Sequence, residues 1–371
     1  AGGDGKPKDP APATADLEQE CTRASQGWKT LVAEFRAEGA STVAVTLAVE
    51  RGRRFALRME PGMTVVVENG WLSHRTVDDS GRPVLVRVPI GALMAAARAV
   101  GEGRDYVPAA DPPPLPEDCI TCDLRLTLEE DGTVSRNLRF GFSLEPIPPF
   151  GWLQMLRARE GVTIRAAEGA AMASGAFGTL SIDRRNGVLL DWTLQGKSGA
   201  GARLVATRVV PDAPVDPALF LNDGPAPTPA QRRRTILGYF LPFAIEVSRR
   251  EPDRRHDRML GIARAYYRIA WADADLEFLA DLGAAKQARA ADDLRRMSPD
   301  ISEAELRSAS LSAALIPIRQ AIEKEATQDI QLLRIALQPR SEDELRRFLE
   351  AYTGILETVL VQPAWEKLRD R

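Results

Sequence analysis

The sequence predicts an α+β protein in which a curved antiparallel sheet (a half-barrel), covered by helices, is followed by an all-α helical domain. Two observations support this prediction. Up to about residue 210, apolar residues recur at every second position in short runs bounded by turn residues, which is typical of antiparallel strands. From about residue 231 they recur every three or four residues, which is typical of helices. At 371 residues the chain is long enough for two domains, each with its own core.

The β-rich part begins with a helical pattern and continues as a meander. Residues 15–37 carry apolar side chains at helical spacing, although Gly27 is a point at which the helix can break. The run TVAVTLAVE then alternates, and after the turn RGR the run RFALRME alternates as well, so two neighbouring strands are predicted. Their apolar positions are Val43, Val45, Leu47, Phe55, Leu57 and Met59.

A second meander follows a short helix, predicted at residues 90–103, and the proline-rich loop DYVPAADPPPLPED. The predicted helices are placed in the sequence to cover the concave face of the sheet, because a single curved sheet must bury that face. Asn186-Gly187 marks one closing hairpin and GKSGAG the next, with Trp192 on the strand between them. An earlier strand of this meander carries alternating apolar positions at Phe140, Phe142 and Leu144.

The C-terminal part is predicted to be a solvated bundle of four or five helices. Ser302 with Glu305, and Ser341 with Glu344, have the spacing of capping boxes at helix N-termini. Basic and acidic residues nearly balance in this half, which argues against a nucleic-acid-binding surface.

The predicted domain limits follow from these changes of pattern: residues 1–14 form a flexible tether, 15–222 the half-barrel, 223–230 a linker and 231–371 the helical bundle. The first residues are rich in Gly, Pro, Lys and Asp, and the chain begins at Ala1 rather than Met. This pattern fits an exported protein whose signal peptide has been removed. It fits an arbitrary boundary of the chain equally well.

Composition and motifs argue against several classes of function. The net charge is −3, so the chain lacks the basic character of a nucleic-acid-binding protein. Its longest apolar run, ILGYFLPFAIEV, is shorter than the roughly 20 residues that span a membrane. The sequence has no P-loop, dinucleotide fingerprint or nucleophile elbow, and its histidines, His74 and His256, are expected on a strand and on a charged helix face. We therefore predict a non-enzymatic protein with no catalytic residue, cofactor or metal.

The three cysteines leave several interpretations open. Cys119 and Cys122 form the motif CITC, which has the spacing of a redox motif or half a metal site. The residues that follow alternate like a strand, and in an extended segment these two Cα atoms lie roughly 10 Å apart, too far for a disulfide. Neither a second such motif nor a nearby histidine completes a zinc site. A structural disulfide from Cys21 to Cys119 or Cys122, plain buried thiols and a redox role remain as alternatives.

The closing hairpin carries Asp183, Asn186, Gly187 and Trp192, and the tail VDPALF follows at residues 215–220. These motifs resemble those of the outer-membrane lipoprotein carrier family, the LolA/LolB-like fold of the bacterial cell envelope. That family has an Asp before a Gly-containing hairpin, an aromatic residue after it, a tail written vDpxLF and an earlier hairpin with an aromatic residue. The resemblance covers about residues 15–222, and the insertion GEGRDYVPAADPPPLPED and the helical half lie outside it. The matching residues are Asp183, Asn186, Gly187, Trp192, Val215, Asp216, Pro217, Phe220, Asn69, Gly70 and Trp71.

The resemblance implies an apolar cavity for a lipid or lipoprotein acyl chain between the sheet and its covering helices, in a periplasmic or outer-membrane-associated protein. Alternation fixes which side chains share a face, but not which set points into the cavity. A concave face that is simply filled core is the alternative, in an envelope interaction module whose helical domain binds a protein partner. The candidate lining residues are Val43, Val45, Leu47, Phe55, Leu57, Met59, Phe140, Phe142, Leu144 and Trp192.

Overall fold

The protein is described here by a computed structural model, which contains a large open antiparallel sheet and a helical C-terminal part. The predicted fold class is therefore confirmed. The structure describes residues 14–38, 42–60, 63–77, 80–109, 111–114, 120–128, 134–142, 163–175, 178–195, 201–250, 252–337, 339 and 341–371.

Eleven of the described strands form one sheet, in the order β6-β5-β4-β3-β2-β1-β13-β12-β11-β10-β9, and β7 and β8 form a separate hairpin. The long-range step in this order is the pairing of β1 with β13, which joins the first meander to the last strand. The strands are β1 (Thr30–Glu38), β2 (Val43–Glu50), β3 (Arg54–Glu60), β4 (Met63–Glu68), β5 (Trp71–Val77), β6 (Pro83–Val88), β7 (Ile120–Leu128), β8 (Val134–Phe142), β9 (Thr163–Ala167), β10 (Ala170–Gly175), β11 (Gly178–Asp183), β12 (Leu189–Gln195) and β13 (Gly201–Pro211).

Helices flank this sheet in the sequence and fill the C-terminal part. A π-helical turn, Glu357–Val361, continues one helix into the next, and short 3₁₀ turns occupy Pro217–Phe220 and Pro252–Arg254. The α-helices are α1 (Thr14–Gly27), α2 (Ile90–Gly101), α3 (Pro229–Arg250), α4 (Arg255–Ala270), α5 (Asp273–Met297), α6 (Glu303–Leu337), α7 (Glu342–Leu356) and α8 (Gln362–Arg369).

The helix predicted at residues 15–37 is wrong in its second half, because the helix ends at Gly27 and the chain continues as β1. In β1 the buried positions alternate with more exposed ones. The strand pairs with β2 on one side and with β13 on the other, so both of its edges are hydrogen-bonded. These long-range ladders override a local sequence that suits a helix equally well.

The chain divides into two compact units, and each is discontinuous in sequence. The first comprises Ala1–Asn69, Ser73–Thr76 and Leu115–Gly224, and the second Gly70–Leu72, Val77–Pro114 and Pro225–Arg371. Helix α2, predicted to cover the sheet, packs within the second unit against α3 and α4. The domain limits as independently folding segments stay a prediction, which limited proteolysis between residues 225 and 234 tests.

Within the second unit, the proline-rich insertion folds back on the start of α2. Gly91 N donates to Gly70 O at 2.9 Å, and a Cβ added to Gly91 would lie 1.9 Å from Pro113 O. At the other end of the insertion, Arg268 Nη1 donates to Asp105 Oδ2 at 2.9 Å and to Tyr106 O at 2.7 Å. The insertion therefore packs closely against the start of α2 and is hydrogen-bonded to α4.

The helical ends are capped as their sequences predict. Ser302 N donates to Glu305 Oε2 at 3.2 Å and Glu305 N donates back to Ser302 Oγ at 3.3 Å, so both halves of that capping box form. Ser341 Oγ accepts from Glu344 N at 3.1 Å. These bonds fix the starts of α6 and α7.

Candidate functional site

The predicted lining residues of β2 and β3 lie side by side on one face of the sheet. Leu47 is directly opposite Leu57, and Val45 is opposite Met59. Because directly paired residues point to the same side, and side chains two apart along a strand do so as well, one apolar surface results. We call it the Leu57 face. Its predicted lining residues on β2 and β3 are Val43, Val45, Leu47, Phe55, Leu57 and Met59, and Val49, opposite Phe55, lies on it as well.

The Leu57 face continues across the sheet to Trp192. Val43 pairs with Ala37 of β1, Ala37 pairs with Leu204 of β13, and Leu204 pairs with Trp192 of β12. Trp192 in turn pairs with Leu180 of β11. The strand register thus brings the predicted indole onto the same face as the aliphatic positions of β2 and β3.

Most of this face is withdrawn from solvent. Val43, Val45, Leu47, Phe55 and Leu57 are each at most 9% exposed. Met59 and Trp192 are half-buried. Covering apolar side chains of this kind is favourable in free energy, whether the covering surface belongs to the protein or to a ligand.

The opposite face of these strands is occupied by the end of the VDPALF segment. Ala48, Ala56 and Val66 lie opposite one another on β2, β3 and β4 and form a buried cluster with Val215 and Phe220. That apolar patch is therefore covered by the chain itself. Of the two faces that alternation leaves as alternatives, the Leu57 face is the one this segment leaves uncovered.

Arginines fasten the segment to the sheet. The Arg58 guanidinium donates to Ala218 O at 2.7 Å, to Leu219 O at 3.0 Å and to Leu221 O at 2.7 Å. Arg54 stacks on the Phe220 ring at 4.1 Å. The Arg58 hydrogen bonds engage the carbonyl groups of Leu219 and Leu221 at the end of the 3₁₀ turn and add a second bond to Ala218 O, which also accepts from Leu221 N at 3.3 Å.

The motif's own residues shape the turn. Asp216 Oδ1 accepts from Ala218 N at 2.9 Å and caps the 3₁₀ turn, while Pro217 occupies its first position. The cap turns the chain so that Phe220 is buried on the sheet. The VDPALF motif thus has a structural role, because it follows the last strand of the sheet and covers one face of β2, β3 and β4.

The register of the described strands does not connect Phe140 or Phe142 to the Leu57 face. Phe140 and Phe142 are in β8, which pairs only with β7 among the described strands, with Phe140 opposite Cys122. Leu144 lies outside the described residues. A role for these three residues in a cavity stays a prediction.

In this structure Cys21 carries no disulfide, and its pairing with Cys119 or Cys122 stays a prediction. Cys21 is a free, buried thiol on α1, and burial raises its pKa to about 11. Cys119 lies outside the described residues, and Cys122 is in β7. A thiol with so high a pKa is a weak nucleophile at neutral pH, which favours the interpretation of Cys21 as a buried core residue.

The described residues offer little that would support catalysis. Burial lowers the pKa of His74 on β5, so its imidazole is neutral at pH 7, and His256 makes an edge contact with the Phe348 ring at 6.2 Å. In the described ranges no three His, Cys, Asp or Glu side chains are grouped so that they could hold a metal ion. Nor does that part of the chain contain a helix both long enough and apolar enough to cross a membrane.

Asp329 is a chemically notable residue that is not among those predicted from the sequence. It is buried in α6, at a position where the apolar stripe of that helix continues through Ala326 and Leu333. A carboxylate inside such a stripe is the signal that could have identified it, because charged residues are almost never buried without a reason.

Comparison with known proteins identifies structural neighbours only. No protein-family model matches the sequence, and no curated protein matches it. A chain of the Pseudomonas aeruginosa MucA/MucB complex is 13% identical over 57% of this chain and 61% of that chain, with a TM-score of 0.26. The LolA superfamily protein NE2245 from Nitrosomonas europaea is 9% identical over 57% of this chain and 99% of that chain, with a TM-score of 0.22. The Mycobacterium tuberculosis lipoprotein LppX is 14% identical over 56% and 99%, also with a TM-score of 0.22.

The aligned part is a little more than half of this chain in each comparison, and this chain spans 61% of its MucA/MucB neighbour. Because TM-scores of this size carry no argument about function, the proposal that follows is based on the chain's own residues.

Proposed function

We propose that the protein is a non-enzymatic lipid-binding protein of the bacterial cell envelope, which holds an acyl chain of a lipid or lipoprotein against the Leu57 face. The observation that supports it is the strand register. Seven predicted lining residues, on β2, β3 and β12, share one apolar face: Val43, Val45, Leu47, Phe55, Leu57, Met59 and Trp192.

The energetics of such a site require no catalytic group. Burying about a dozen methylenes supplies on the order of 10 kcal/mol before the costs of ordering the chain. Micromolar binding corresponds to about 8 kcal/mol, so this apolar contact alone reaches it only where the ordering losses stay within about 2 kcal/mol. The location in the envelope rests on the resemblance of the VDPALF tail and the hairpins to those of lipoprotein carriers.

Trp192 provides a direct test. The full-length protein is titrated with a fatty acid that carries a nitroxide quencher on its acyl chain, and tryptophan fluorescence is recorded. We expect a saturable decrease with a dissociation constant in the micromolar range. Trp192→Phe should lose most of this quenching, whereas Trp271→Phe, a buried tryptophan of the second unit, should retain it.

The outcome that contradicts the proposal is equally specific. A wild-type titration without saturable quenching, together with no lipid in an organic extract of the purified protein, means that the Leu57 face takes up no acyl chain under these conditions and is filled core.

An interaction module with a filled core is the second candidate, and the burial of the Leu57 face favours it. Five of its residues are already at most 9% exposed, so the protein itself covers them: Val43, Val45, Leu47, Phe55 and Leu57. In that case the helical part would bind a protein partner in the envelope. Native mass spectrometry separates the two candidates, since co-purifying lipid supports the carrier and a lipid-free mass with a co-isolated protein supports the module.

A further inference from the structure

A carboxylate lies at the centre of the helical core of the second unit, surrounded by tyrosines. Asp329 Oδ2 accepts hydrogen bonds from the hydroxyls of Tyr266, at 3.1 Å, and Tyr267, at 3.3 Å. The Tyr267 hydroxyl is also hydrogen-bonded to that of Tyr352. All four side chains are buried, and they come from α4, α6 and α7. We call this group the Asp329 cluster.

The carboxylate of Asp329 has no ion-pair partner among the described residues. The cation that acts on it is Arg233 of α3. The backbone carbonyl of Arg233 lies 3.3 Å from the Tyr266 hydroxyl oxygen and competes with Asp329 for the single hydrogen of that hydroxyl. The Arg233 guanidinium, however, donates to Asp275 Oδ1 at 3.1 Å and to Glu325 Oε2 at 2.8 Å. Arg233 is therefore engaged by these two carboxylates, of which Asp275 also pairs with Arg232. A buried carboxylate that has no counter-ion of its own favours its neutral form.

The titratable groups that act on Asp329 lie on α3, α4, α6 and α7, and Asp275 of α5 acts through its ion pair with Arg233. From α3 there is Arg233, from α4 Tyr266 and Tyr267, from α7 Tyr352, and on α6 itself Glu325. Burial raises the pKa of Asp329 to about 6, and Glu325 acts in the same direction, while the two tyrosine hydrogen bonds and Arg233 oppose the shift. Desolvation is the largest of these influences.

We propose that the Asp329 cluster makes the helical core responsive to pH, because neutralising this carboxyl tightens the packing of α3, α4, α6 and α7. The neutral carboxyl becomes a hydrogen-bond donor as well as an acceptor. A tyrosine hydroxyl can then accept a hydrogen bond from the carboxyl O–H. Because the protonated carboxyl is neutral, the cluster no longer holds a net charge in a low-dielectric core.

The direction of the response follows from linkage. The pKa of Asp329 is higher in the folded state, about 6, than its ordinary value of 3.8, so the folded state binds the proton more tightly. Stability is greatest below the unfolded pKa and is lost as the pH rises through the folded pKa. Between pH 7 and pH 5 the folding equilibrium constant should rise about ten-fold on this account.

Hydrogen exchange of the full-length chain, read by mass spectrometry in peptides of α4, α6 and α7, tests the proposal at pH 5 and pH 7. After correction for the intrinsic exchange rate, wild-type opening should become about ten-fold rarer at pH 5. Asp329→Asn should remove this difference, because it keeps the shape and removes the titrating group. The control Glu323→Gln, an exposed position on the same helix, should behave like wild type.

Equal pH dependence in wild type and Asp329→Asn overturns the proposal. If that variant does not fold, Tyr266→Phe tests the proposal instead. It removes one hydrogen bond that stabilises the Asp329 carboxylate and leaves the aromatic ring in place. The midpoint of the pH response should then move to higher pH, and an unchanged midpoint also overturns the proposal.

Discussion

The apolar face of the sheet and the core of the helical unit bury side chains in opposite ways. The Leu57 face is a surface of aliphatic and aromatic side chains placed by strand register, as in the facing pair Leu47 and Leu57. The helical core contains a carboxylate, three tyrosine hydroxyls and an arginine ion-pair network. The difference teaches that burial alone can act on the first region, whose named side chains do not titrate between pH 5 and pH 7, whereas the second contains a carboxyl whose pKa burial raises to about 6.

The largest effect is expected from the sheet. Leu57→Ala should destabilise the first unit by about 2–5 kcal/mol, since the side chain is 3% exposed and its removal leaves a cavity. The loss should be equal at pH 5 and pH 7, because the face carries no group that titrates there. Thermal unfolding at both pH values measures it, with the exposed turn variant Arg53→Ala as the control. A loss that changes with pH would break the contrast between the two regions.

A smaller effect is expected from the Arg58 contacts. Arg58→Ala removes three hydrogen bonds to the VDPALF carbonyls and should cost about 1.5–3 kcal/mol, as for bonds made by a charged group. Hydrogen exchange should accelerate around residues 218–221 and leave the pairing of β1 with β2 unchanged. Acceleration spread evenly over the sheet would mean that Arg58 supports the fold rather than the segment.

In the helical core, Tyr267→Phe should cost about 1–2 kcal/mol at pH 7, because it removes hydrogen bonds to Asp329 and Tyr352. The cost should be smaller at pH 5, where the pKa of about 6 leaves the Asp329 carboxyl mostly neutral and less dependent on donors. Urea unfolding at both pH values measures the difference. A cost that is the same at pH 5 would place the whole effect in packing.

The two regions also differ in how far the sequence predicts them. Period-two alternation identifies β2 and β3. It also identifies the residues that share a face, because side chains two positions apart along a strand point to the same side of the sheet. It cannot say that Val215 and Phe220, about 160 residues further along the chain, pack on the face of Ala48, Ala56 and Val66 rather than on the Leu57 face. The strand β1 was not predicted because TLVAEFRAE suits a helix locally and becomes a strand only through its partners on both sides.

The helical core is predictable as a pattern but not as chemistry. The stripe of α6 is visible in the sequence, and its capped start was predicted correctly. The tyrosines that surround Asp329 are not predicted from the sequence. Tyr266, Tyr267 and Tyr352 come from two other helices, and periodicity does not encode which helices pack together. Helix α2 shows the same limit, because its sequence gives no sign that it packs against α3 and α4.

The smallest expected effect concerns the thiol of Cys21 and changes no stability. Burial raises its pKa to about 11, so at pH 8 almost none of it is thiolate in the folded protein. Iodoacetamide should therefore leave Cys21 unmodified in the native state and alkylate it fully after denaturation without reductant. Resistance to alkylation in the denatured, unreduced protein would instead reveal a disulfide, and peptide mapping would then identify Cys119 or Cys122 as its partner. A buried thiol and a disulfide both resist the reagent in the native state. Only the denatured sample therefore shows whether Cys21 is a free thiol buried in the first unit or one half of a disulfide.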